Sequence, residues 1–146
     1  MDSSPKTRSP KRRPTREKAR KVFTLEHANR TLPLVRRIVT DIVDQYKLVV
    51  TAQRGLHELA EDATAEQKRR AEEISRDAVE KLRGLADELE EVGCELKDYQ
   101  TGLIDFPGQR QGRDVYLCWR LGENDIQHWH EVDAGFNGRQ TIDAES

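Results

Sequence analysis

The sequence predicts an α+β fold: a long antiparallel helical hairpin with a small antiparallel β-sheet packed at its open end. Apolar residues recur at steps of three and four from Ala71 to Leu96, the spacing of a helix that buries one narrow stripe against a partner. Residues 61–63 form a short connection to an earlier helical stretch, so we expect the two helices to be antiparallel neighbours. After Thr101 the pattern changes to short strand-like runs, which predict the sheet.

Capping signals predict where the helices begin. Thr24 is expected to cap a short helix, and the Thr-Leu-Pro run at 31–33 to begin a long helix over 32–60, because Pro is tolerated in a first turn. Thr64 and Gln67 form a capping box that begins the second long helix. Hydrophobic residues make up 35% of the chain and charged residues 36%, which suits a thin seam between two helices.

The C-terminal third contains two strong strand candidates. Val115–Leu121 and Ile126–Val132 are predicted strands, joined by a turn at 122–125. The apolar run Leu103–Phe106 precedes them and ends at a Pro-Gly pair, and residues 109–113 are predicted to be a polar loop. These elements predict a small antiparallel sheet.

The register of the last two strands decides where two histidines lie. A four-residue turn places Trp119 opposite His128 and Leu117 opposite His130, so both imidazoles share the apolar face with Trp119. A slip by one residue instead places the histidines with a different set: Tyr116, Cys118 and Arg120.

The chain divides by charge into a basic beginning and an acidic remainder. Residues 1–21 contain nine Lys and Arg residues against two acidic residues and show no apolar period, which predicts a disordered tail with weak capacity for nucleic-acid contact. A single domain is expected over 22–142, with a short tail at 143–146. The sequence has no apolar run long enough to span a membrane, and its two cysteines do not form a CxxC pair, which together favour a cytoplasmic protein with free thiols.

Several short motifs in fixed order resemble a known family. Over residues 23–140 the chain resembles the bacterial domain-of-unknown-function family 2203, whose resemblance implies no established activity. The motifs are Phe23–Asn29, Leu32–Leu34, Gly102–Pro107, Leu117–Trp119 with Gly122–Glu123, Ile126 with Trp129–His130, and Gly135–Phe136 with Gly138–Arg139.

The sheet carries the candidate functional residues. His-x-His on a strand sends both imidazoles to one face with Cα atoms about 6.5–7 Å apart, close enough to share a divalent metal ion with a carboxylate such as Glu123 or Asp105. Arg139, in a loop with Gly135 and Gly138, is expected to pair with Asp105 or with an external carboxylate. The candidate ligand or partner pocket comprises Asp105, Trp119, Glu123, His128, His130 and Arg139.

Two classes of function are consistent with this pocket. The first is a binding or adaptor module that uses the family-like face of the C-terminal sheet to hold a protein partner or a small ligand. The alternative is a metal-dependent enzyme with a His128, His130 and carboxylate site. Cys118 and Cys94 lack the spacing of a zinc finger. The narrow helical stripe is also consistent with a coiled-coil seam or with a homodimer.

Overall fold

A computed structural model describes residues 21–142 and shows two antiparallel helices followed by a five-stranded antiparallel sheet, which confirms the predicted α+β fold. The predicted tails at 1–21 and 143–146 lie outside the described residues, except for Lys21. None of the helices within 21–142 is long and apolar enough to cross a membrane. The elements are α1 (Leu25–His57), α2 (Ala65–Val92), β1 (Glu95–Asp98), β2 (Leu103–Arg110), β3 (Arg113–Arg120), β4 (His128–Glu131), a 3₁₀ turn (Phe136–Gly138) and β5 (Gln140–Thr141).

The first helix is continuous, so the prediction of a separate helix beginning at 31–33 was wrong. Thr24 is its N-cap, and the Thr24 hydroxyl accepts a hydrogen bond from the His27 N–H at 3.0 Å. Pro33 lies inside the helix, where it removes one N–H from the hydrogen-bonded ladder. The helix continues past it because Leu32 and Val35 on either side are buried against the rest of the fold.

The second helix begins at the predicted capping box of Thr64 and Gln67 and ends earlier than predicted. Gly93 terminates it in the left-handed conformation at φ 116°, and a Cβ there would lie 3.0 Å from the Phe23 ring. Leu96, predicted as the last apolar residue of the helix, therefore lies in β1, a strand that was not predicted.

The sheet is longer than predicted because β2 runs through the Pro-Gly pair at 107–108. β1 pairs with β2 only as far as Asp105, so Pro107 lies where no neighbouring strand needs its missing N–H. The predicted polar loop at 109–113 was wrong. A tight two-residue turn joins β2 to β3, with positive φ at both Gln111 and Gly112.

The register of β3 and β4 differs by one residue from the register that a four-residue turn would give, and it matches the alternative register considered above. Cys118 pairs with His128 and Tyr116 pairs with His130, so the predicted pairing of Trp119 with His128 was wrong. The connection is longer than a four-residue turn because Ile126 is drawn into the core, where its N–H donates to the Asn29 side chain at 2.8 Å.

The two faces of the sheet therefore have different roles. The inner face packs against the helices and supplies the sheet's part of the hydrophobic core. The outer face, defined here as the side bearing Asp105, Cys118, His128 and His130, points away from the helices. The inner-face residues are Ile104, Phe106, Val115, Leu117, Trp119 and Trp129.

Candidate functional site

The structure brings five of the six predicted pocket residues to the outer face or its rim. Asp105 on β2 lies opposite Cys118 on β3, which lies opposite His128 on β4. His130 is two residues further along β4, on the same face. Trp119 is the exception: it is fully buried on the inner face, where its Nε1 donates to the Asn124 carbonyl at 2.9 Å.

Asp105 and His130 form a buried carboxylate–imidazole pair at the centre of the outer face. The His130 Nε2 lies 3.0 Å from each carboxylate oxygen of Asp105, and both side chains are 3% exposed. Burial raises the pKa of the Asp105 carboxyl, although the hydrogen bond from His130 and the nearby Lys97 ammonium act in the opposite direction. The pair is thus held together in a region of low polarity.

The hydrogen bonds of His130 determine where its protons lie. Nδ1 is 2.7 Å from the Glu131 carbonyl oxygen, which can only accept, so Nδ1 carries a proton. A bare lone pair on Nε2 would repel the Asp105 carboxylate, so a proton or another cation must lie between them. With one shared proton the pair has no net charge.

Cys118 completes the cluster and was missed as a site residue. Among residues 21–142, the His, Cys, Asp and Glu side chains close enough to share one ion are Asp105, Cys118 and His130, whose candidate ligand atoms lie within 4.8 Å of one another. The predicted ion ligands His128 and Glu123 are not in that group. The register predicted from a four-residue turn placed Cys118 on the face opposite the histidines, and the alternative register would have placed it beside them.

A cavity of about 170 Å³ lies against this cluster. The C-terminal segment after β4 folds back over the outer face and supplies part of the cavity wall. The cavity is smaller than the roughly 300–1,000 Å³ of sites for drug-sized molecules, so it suits a small ligand. Its lining residues are Lys97, Leu103, Asp105, Tyr116, Cys118, His130, Val132, Gly135 and Phe136.

Arg139 fastens the returning segment to the sheet, through Glu123 and not through Asp105 as predicted. The guanidinium donates to the Glu123 carboxylate at 2.6 Å and to the Cys118 sulfur at 3.8 Å. Burial acts to raise the pKa of Glu123, but hydrogen bonds from Arg139 and from the Arg120 N–H outweigh it and lower that pKa. The Phe136 ring packs under the same guanidinium, 4.4 Å from ring centroid to Cζ.

His128 lies beside this fastening and carries the one unsatisfied buried side-chain atom found in residues 21–142. Its Nδ1 has no hydrogen-bond partner. The ring lies close enough to Glu123 for a positive charge on it to act to lower the pKa of that carboxyl. His128 is directly paired with Cys118 across the strands. It is therefore adjacent to the cluster without belonging to it.

Both cysteines are expected to react slowly with alkylating reagents in the native protein. Burial raises the pKa of Cys118 to about 11, with a further contribution from Asp105, and burial raises the pKa of Cys94 to about 12. At pH 8 a thiol with a pKa of about 11 is ionised in about one molecule in a thousand, whereas an ordinary thiol is ionised in roughly a quarter of the molecules. Iodoacetamide labelling followed by mass spectrometry should show at least a roughly 100-fold slower rate in native than in urea-unfolded protein. Rapid labelling of native Cys118 would contradict this environment.

The fold and its outer-face cluster define a class of small α+β protein with a helical hairpin, an antiparallel meander and a buried Asp–His–Cys group. The model of a family described as an uncharacterized conserved protein (DUF2203) matches residues 21–142, and the chain belongs to this family. No curated protein and no solved structure matches the chain.

Proposed function

We propose that this protein is a binding module that holds a small ligand in the outer-face cavity, against Asp105, Cys118 and His130. One observation carries the proposal: a buried ionisable pair lies on the sheet face that the hydrophobic core does not use. The proposal retains the predicted use of the C-terminal sheet and removes Trp119 from the contact surface, because that side chain is buried on the inner face.

The energetics of the Asp105–His130 pair favour a functional role over a stabilising one. Removing two ionisable groups from water costs several kcal/mol per ion, and their attraction repays this only partly. The inner face already supplies a core without them. Ionisable groups that are buried beside a cavity are typical of functional sites.

The surrounding side chains are arranged to restrict the size and polarity of the ligand. Phe136 and Leu103 supply apolar parts of the cavity lining, and the cluster of Asp105, Cys118 and His130 supplies polar groups. The ion pair between Glu123 and Arg139 holds the returning segment against the sheet. The two side chains are only 22% and 15% exposed, so the pair is largely shielded from solvent.

A double substitution tests whether the pair serves function or stability. We expect Asp105→Leu with His130→Leu to unfold with a free energy equal to the natural protein or up to about 3 kcal/mol higher, because apolar replacement of a buried pair is often neutral or stabilising. Each single substitution should be destabilising by about 3–5 kcal/mol, because it leaves one polar partner buried alone. Urea denaturation followed by circular dichroism measures all three.

The opposite pattern would contradict the proposal. If the double variant were less stable than either single variant, the pair would be a structural element, and the cavity would have no claim to be a binding site. Arg113→Leu with Glu131→Leu is a matched control, since these side chains form an ion pair at 2.8 Å on the same sheet but are 54% and 37% exposed. That control should change stability by no more than about 1 kcal/mol.

A further inference from the structure

We infer that the ligand of the outer-face cavity is a zinc ion, bound by a carboxylate oxygen of Asp105, the Cys118 sulfur and the His130 Nε2. This inference rests on the proposed binding role of the cavity and names its ligand. It departs from the predicted metal set, since His128 and Glu123 are not among the ligands.

The geometry brings the three ligand atoms close to what zinc requires. Zinc lies about 2.0–2.1 Å from imidazole nitrogen and carboxylate oxygen and about 2.3 Å from sulfur, so tetrahedral ligands are separated by roughly 3.3–3.6 Å. The three candidate atoms lie within 4.8 Å of one another, and Nε2 is 3.0 Å from the carboxylate. Zinc binding therefore requires the separations of these atoms to change by no more than about 1.2 Å.

The hydrogen bond on the far side of the imidazole prepares His130 as a ligand. A histidine that binds metal generally donates its other ring N–H to a carbonyl or carboxylate, which fixes the tautomer and the ring orientation. The His130 Nδ1 donates to the Glu131 carbonyl at 2.7 Å, leaving Nε2 to face Asp105 and Cys118. The cation that must lie between Nε2 and the carboxylate is then a proton or the metal ion.

The charges of the site balance when zinc is bound. One carboxylate, one thiolate and one neutral imidazole around a doubly charged ion form a cluster with no net charge. A buried site can therefore hold the ion without uncompensated charge.

The identity of the ligand atoms favours zinc over magnesium and calcium. Thiolate sulfur and imidazole nitrogen favour zinc, whereas magnesium and calcium require oxygen ligands. Three protein ligands leave a fourth position, on the side of the cavity, for water or a small molecule. That open position is the arrangement found in catalytic rather than structural zinc sites.

Zinc titration of the full-length protein, stripped of metal by dialysis against chelator, tests this inference. We expect one zinc ion per chain by elemental analysis, and an affinity at least about 100-fold weaker in Cys118→Ser and in His130→Gln. Cobalt added in place of zinc should give a thiolate-to-metal absorption band that Cys118→Ser lacks. The matched controls are Cys94→Ser, which changes a buried cysteine outside the cluster, and His128→Gln, which changes the neighbouring histidine. Both should retain zinc and the cobalt band.

Two results would overturn the zinc assignment: no stoichiometric zinc in the natural protein, or zinc binding that survives Cys118→Ser unchanged. Circular dichroism of each variant shows whether it is folded, and Asp105→Asn, which preserves the side-chain shape, provides a further ligand substitution. If zinc fails to bind while the Asp105→Leu and His130→Leu double variant remains fully stable, the cavity keeps its binding role with another ligand. If the double variant is less stable than either single variant, the binding role fails as well.

Discussion

Replacing Trp119 by alanine should lower the free energy of unfolding by about 3–5 kcal/mol. The ring is fully buried between the sheet and α1, and the Arg36 guanidinium lies 5.5 Å from its centroid. Truncation removes that apolar contact, leaves a cavity and removes the indole donor to the Asn124 carbonyl, which still accepts a hydrogen bond from the Arg36 guanidinium at 3.3 Å. Urea denaturation monitored by circular dichroism gives the magnitude.

Trp119→Phe separates packing from hydrogen bonding at this position. Phenylalanine keeps most of the apolar volume and loses the indole donor, so we expect a smaller loss of about 1–3 kcal/mol. Since Trp119 lies on the inner face, zinc stoichiometry should be unchanged in any variant that remains folded. An alanine variant as stable as the natural protein would contradict the described core.

Gly102→Ala should lower the free energy of unfolding by about 2–5 kcal/mol. Gly102 adopts φ +75°, and a Cβ there would lie 2.8 Å from Val39 Cγ1 and 2.9 Å from the Cβ of Leu121. Alanine therefore combines the cost of a left-handed backbone, about 1–2 kcal/mol, with overpacking between α1 and the sheet, about 1–3 kcal/mol. Chemical denaturation of the purified variant measures the sum.

Gly112→Ala is the matched control, because it has nearly the same backbone conformation in open space. Its φ is +79° and no heavy atom lies within 4 Å of an added Cβ. We expect a loss of only about 1–2 kcal/mol, from the backbone alone. Equal losses in the two variants would show that the contact between Gly102 and α1 is absent.

Local signals in the sequence were sufficient to predict the fold class and several boundaries. The Thr24 cap and the capping box at Thr64 depend on residues within one helical turn, and both were recognised. Continuation of α1 through Pro33 depends on burial by distant residues, which overrides the local preference for a helix start. The end of α2 at Gly93 is also a local signal, because glycine readily adopts the left-handed conformation that ends a helix, but the prediction extended the helix past it to Leu96.

The candidate site depends on strand register, and register is where local reasoning was insufficient. A hydrogen bond from the Ile126 N–H to Asn29 lengthens the connection between β3 and β4 and shifts the pairing by one residue. One residue is enough to move His130 from the side of Trp119 to the side of Cys118. The residue types of the cluster could be read from the sequence. Their grouping could not, because the register that brings Cys118 beside His130 depends on the contact between Ile126 and Asn29 on α1.

Burial within the helical hairpin is concentrated at the end that meets the sheet. Residues 50–74, which form the far end and its connection, contain no fully buried side chain, and α2 buries only Ser75 and Leu89 along its length. Amide hydrogens at the far end of the hairpin should exchange with solvent through local opening that leaves the sheet intact. The molecule thus combines a well-packed end, which carries the cavity, with a hairpin tip whose local opening should leave that cavity unchanged. Sequence changes at the tip should leave the geometry around Asp105 and His130 unaltered.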